Sequence, residues 1–73
     1  MIHELDTVVL TVDLPEHNLR AGDVGTVVHT YSSGNRYEIE VFTLTGKTID
    51  VISVTGDQIR PISDREVMHA RQL

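Results

Sequence analysis

Between residues 36 and 42 the chain reads RYEIEVF, with Tyr37, Ile39 and Val41 on one side and Glu38 and Glu40 on the other. A period of two marks a strand with one face buried and the other in water. Residues 6–12, DTVVLTV, and 24–31, VGTVVHTY, are rich in β-branched side chains and predict two further strands. In KTIDVISV, residues 47–54, Ile49 and Val51 lie on one side of Asp50 before Ile52 and Val54 shift the pattern by one residue, which predicts a strand with a bulge. Residues 59–62, IRPI, predict a short edge strand, because Pro61 has no N–H for a central ladder.

The segments between these strands carry turn chemistry. DLPEHNLRAGD, residues 13–23, combines Pro15, Asn18 and Gly22 and predicts a long irregular loop. SSGN, TLTG and TGDQ mark tighter turns, with Gly34 and Gly46 at turn positions. Gly22 and Gly25 flank Asp23 and Val24 in LRAGDVGTVV. In a phosphate-cradling loop the glycines would lead into a helix, but here they lead into a strand, so both read as structural. Gly22 ends the loop, and Gly25 lets the strand bend or pass close to a neighbour. Near the C-terminus, Ser63 followed by Glu66 has the spacing of a capping box and predicts a short helix over residues 64–72. Val67, Met68 and Arg71 would share a side of it, to cover an end of the fold or dock on another molecule. The expectation is one all-β domain: a five-stranded antiparallel barrel over residues 1–62, with a helical tail over 63–73.

Composition narrows the function. The 73 residues include one Phe, two Tyr, no Trp and no Cys, so Val, Ile and Leu must build the core, and disulfides and thiolate metal sites are excluded. The net charge is −5, and most of the excess lies in residues 1–23, where Glu4, Asp6, Asp13, Glu16 and Asp23 face Arg20 alone. With Lys47 the only lysine, the clustered basic surface that phosphate backbones require is missing, and nucleic acid is not an expected partner. The acidic excess gives solubility, or attraction to a basic protein. No apolar run reaches the roughly 20 residues of a membrane span, and a signal peptide is not evident, so no membrane association and a cytoplasmic location are expected.

No catalytic motif emerges. Ser32, Ser33, Ser53 and Ser63 lie in no nucleophile elbow or triad-like frame. His3, His17, His29 and His69 are scattered, without the convergent spacing of a metal site. Glu38 and Glu40 share a face in the manner of an ordinary exposed strand. Tyr31 and Tyr37 are too few to line a proline-peptide groove. The chain is expected to be no enzyme and to hold no cofactor or metal.

LRAGDVGTVVHTY, YEIEVF, GKTIDVISV and DQIRPI together resemble a family of small uncharacterised bacterial proteins with an SH3-like barrel. Its members share a Gly-Asp-x-Gly-Thr-Val segment, a Tyr-x-Val-Glu-Phe-like strand and a closing Leu-Arg-Pro. Gly22, Asp23, Gly25, Thr26 and Val27 match the first of these, while Ile39 and Val41 stand where Val and Phe are frequent. The resemblance covers residues 4–62, and the first motif is also similar to KOW-type barrels and to the nitrile hydratase beta-subunit barrel. It implies a fold without an established activity, and a frequent position beside toxin genes suggests an antitoxin or immunity role. The expectation is therefore a non-catalytic protein-binding module in which Asp13, Glu16 and Asp23 meet a basic surface and Leu14 and Leu19 supply apolar burial. The alternatives are an accessory subunit of a larger enzyme, bound through edge strands and the C-terminal helix, and a KOW-like nucleic-acid-binding barrel. Unpaired edges would also permit a homodimer.

Overall fold

Val8, Val27, Ile39 and Val54 come from four different strands and meet, fully buried, in one core. The computed structural model describes residues 1–73 and contains β1 (Thr7–Leu10), β2 (Val24–Thr30), β3 (Arg36–Phe42), β4 (Thr48–Thr55) and β5 (Ile59–Pro61). They form one antiparallel sheet in the order β4-β3-β2-β1-β5, so the first four meander and the fifth returns to flank the first. β4 and β5 are its two edges and are not paired with each other, so the closed barrel is not found. The protein has no helix long and apolar enough to cross a membrane.

Alternation decides what each strand buries. On β3, Ile39 and Val41 point into the core while Glu38 and Glu40 point away. On β4 the inward set is Ile52 and Val54, and the outward set includes Val51 and Ser53. The irregularity in this pairing falls earlier than the sequence pattern suggests: Val41 pairs with Asp50 and Phe42 with Thr48, so Ile49 is the extra residue. Past it the alternation is unbroken, and Val51, 51% exposed, looks out beside Glu40. A second irregularity lies in β2 at Val28, between Val27 and His29. Gly25 sits in a tight spot, since a Cβ there would lie 3.1 Å from the Glu40 carbonyl oxygen. Turn glycines Gly22, Gly34 and Gly46 all have positive φ.

The long first loop is more ordered than its composition suggests. Leu14 and Leu19 pair back to back, each N–H donating to the other's carbonyl at 3.0 and 3.1 Å. Pro15–His17 forms a 3-10 turn between them, closed by Asn18 in the left-handed region at φ 58°. Both leucines belong to the core cluster.

The helix expected over residues 64–72 does not form. Half of the capping box is present, because the Ser63 N–H donates to the Glu66 carboxylate at 2.7 Å. That carboxylate is also held by the Arg60 guanidinium, at 2.9 and 2.6 Å. No residue from 62 to 73 is buried, so nothing packs against a second turn, and the tail is irregular past Arg65.

Candidate functional site

The first loop, where the acidic residues are densest, is positioned by its two leucines. Leu14 and Leu19 are 7% and 2% exposed, which makes them anchors for the loop around them. In this structure their side chains face the core and not the surface. Asp13 is exposed and accepts the Ala21 N–H at 2.9 Å. Glu16, exposed in the 3-10 turn, forms no ion pair. An open depression of about 240 Å³ lies beside Asp13, lined by Asp13, Pro15, Asn18, Leu19 and Arg20.

Asp23 differs from the other two. Its Oδ1 accepts from Arg71 Nε at 2.8 Å and its Oδ2 from Arg71 Nη2 at 2.6 Å, a fork-on-fork pair. The Arg20 N–H donates to Oδ2 at 2.8 Å, and Arg71 Nη2 also reaches the Asn18 carbonyl at 3.3 Å. The Arg71 guanidinium, with help from the Arg20 N–H and against some burial, holds the Asp23 carboxyl below its usual range. The structure therefore brings Asp13, Glu16 and Asp23 onto one loop but cancels the charge of the third. Sequence reasoning missed Arg71 in this role because the expected helix assigned it to an apolar side. The available signal was the uncompensated acidic loop, which needed a cation from elsewhere in the chain.

Both sheet edges are blunted by their own side chains. The Gly56 N–H donates to the Asn35 carbonyl, which fixes the ladder so that Asp50, Ile52 and Val54 turn their backbone groups toward β3 while Val51, Ser53 and Thr55 turn theirs to the open edge. The Val51 N–H is taken by Asp50 Oδ1 at 2.9 Å and the Thr55 N–H by Gln58 Oε1 at 2.9 Å. The other Asp50 oxygen lies 3.2 Å from His17 Nδ1, tying the first loop to β4. On β5, Pro61 has no N–H, and its carbonyl accepts from Arg60 Nη1 at 3.1 Å. Such caps oppose strand addition.

The outward face of β2, β3 and β4 carries a hydroxyl–carboxylate network. Glu38 accepts from the Ser53 hydroxyl at 3.0 Å and from the Tyr31 hydroxyl at 3.1 Å, and the Glu38 carboxylate pushes the Tyr31 phenol above its usual pKa. Glu40 accepts from Thr48 at 2.5 Å. Arg36 lies over the Tyr31 ring and His29 meets its edge. Ser53 donates to the Glu38 carboxylate, and His3, His17 and His29 each face a different acid, Asp6, Asp50 and Glu4. This network orders the exposed face of the sheet.

No curated protein and no solved structure matches the chain. A family model described as a domain of unknown function, DUF4926, matches residues 4–61, from before β1 to the end of β5. The chain therefore belongs to the DUF4926 family, with residues 62–73 outside the matched region.

Proposed function

We propose that the chain is a non-catalytic protein-binding module whose first loop receives a basic partner, with an antitoxin or immunity protein as the concrete form. One observation carries this reading: the loop, anchored by two buried leucines, presents Asp13 and Glu16 to solvent and already grips one guanidinium through Asp23. A fixed loop with exposed carboxylates steers a cationic surface and selects it at little cost in ordering.

The scaffold is read as an SH3-like barrel. Four neighbouring spacings would separate the edges of a flat five-stranded sheet by about 19 Å. From Thr55 to Ile59 the chain takes only four steps, which span at most about 14 Å even when extended, yet they join β4 to β5 across the whole sheet. A sheet so tied must curl, which supports the barrel reading. The accessory-subunit alternative loses the helix it relied on, and the β4 edge is capped at Val51 and Thr55.

The test is binding of a fluorescently labelled hexa-arginine peptide at low and at physiological salt. Affinity is expected to fall with salt, and Asp13→Lys with Glu16→Lys is expected to slow association at least tenfold. Association unaffected by salt and by both substitutions would overturn the reading.

A further inference from the structure

We propose that residues 63–73 are a strap latched across the sheet by Arg71, and that a basic partner enters the first loop by displacing it. The inference rests on the basic-partner reading above and adds the device that regulates it.

The geometry has three parts. Asp23 is the loop carboxylate best placed to grip an arginine, and Arg71 occupies both of its oxygens, leaving its side chain 16% exposed. An incoming guanidinium cannot use Asp23 until Arg71 leaves. The strap is otherwise lightly held, because from Asp64 to Leu73 the only hydrogen bonds to the rest of the protein are those of Glu66 and Arg71. Val67 and Met68 between them are 89% and 86% exposed.

Val9 supplies the third part. It is 5% exposed yet lies outside the core cluster, on the face opposite Val8 and Leu10. Its register partners are Arg60 on β5 and Val24 on β2. Glu66 is anchored on the first of these, and Arg71 on Asp23 beside the second. The five steps from Glu66 to Arg71 reach about 17 Å at most, enough to cross two strand spacings of roughly 5 Å each. The strap thus runs from one register neighbour of Val9 to the other, and the low exposure of Val9 is assigned to this crossing. Opening the strap frees the Asp23 carboxylate and uncovers an apolar residue beside it, so a partner gains a charged contact and a greasy one together.

The experiment compares the full chain with Arg71→Ala, Arg71→Lys and Asp23→Asn, using the labelled hexa-arginine peptide and the Val9 methyl resonances. Arg71→Ala is expected to bind the peptide about fivefold more tightly, because the competent state no longer has to be opened. Arg71→Lys, which keeps the charge but loses the fork, falls between, and Asp23→Asn shows no gain. Adding peptide to the unsubstituted chain shifts the Val9 methyls toward their positions in Arg71→Ala. Equal affinity for the unsubstituted chain and Arg71→Ala overturns the strap while leaving the basic-partner reading intact. Binding by none of the chains overturns both. Should Arg71→Ala fail to fold, Val9 methyls in the unsubstituted chain that stay unmoved at saturating peptide overturn the strap by themselves.

Discussion

The first loop and the C-terminal tail are of similar length and neither joins the sheet, yet they are held by different forces. The loop buries Leu14 and Leu19 in the core and closes on itself through the reciprocal backbone hydrogen bonds between them. The tail buries nothing between Ile62 and Leu73 and is fastened by two arginine–carboxylate pairs, Arg60–Glu66 and Arg71–Asp23. The loop reads as turn residues and becomes structure because its apolar side chains reach the interior. The tail reads as a helix start and stays irregular because its apolar side chains have nowhere to go. Burial, more than local capping, separates the two.

The largest effect is expected at Leu19, where truncation to alanine removes a core side chain and should cost about 2–5 kcal/mol in urea unfolding. A loss under about 1 kcal/mol would mean that the leucines do not pin the loop. Gly22→Ala forces a side chain onto a residue at φ 96° and should cost about 1–2 kcal/mol, although open space surrounds the site.

Acid should separate the two regions. Arg60, aided by the Ser63 N–H, holds Glu66 at about 2 against an ordinary 4.5, and Arg71 holds Asp23 below 3.8. The folded state favours both charged forms, so the attachment they give is complete above the ordinary values and is lost as the pH falls from about 4.5 toward about 2. Tail amides should gain mobility over that window while the sheet keeps its dispersed spectrum. Loss of order in both at one pH would erase the contrast.

Asp50→Ala removes the tie from His17 to β4 and uncovers the Val51 N–H. The stability cost should stay below about 1 kcal/mol, while sedimentation at high concentration should show more self-association than the unsubstituted chain. Unchanged sedimentation would deny Asp50 its guarding role. Val67→Ala, in the tail, should change stability by less than about 0.5 kcal/mol.

The strands were legible because β-branched alternation and punctuation by Pro and Gly are local signals: RYEIEVF defines β3 over the same residues, and Pro61 sits on an edge strand as its chemistry requires. The bulge was visible as a phase shift, but placing it at Ile49 needed the register with Phe42. Long-range partners were hidden. Nothing in the sequence near Asp23 points to Arg71, 48 positions away, and the Glu66 carboxylate was claimed by Arg60. Leu14 and Leu19 looked like loop residues free for a partner because a loop's path into the core cannot be read from its composition.

The guards on β4 come from close by in the chain: Asp50 shields its immediate neighbour, and Gln58 shields a residue three positions earlier. Both are local contacts that need only β4 and the 3-10 turn Gly56–Gln58 after it. A nascent or partly unfolded copy that has made β4 already carries this protection, which lowers the hazard of templated stacking during synthesis and in crowded surroundings.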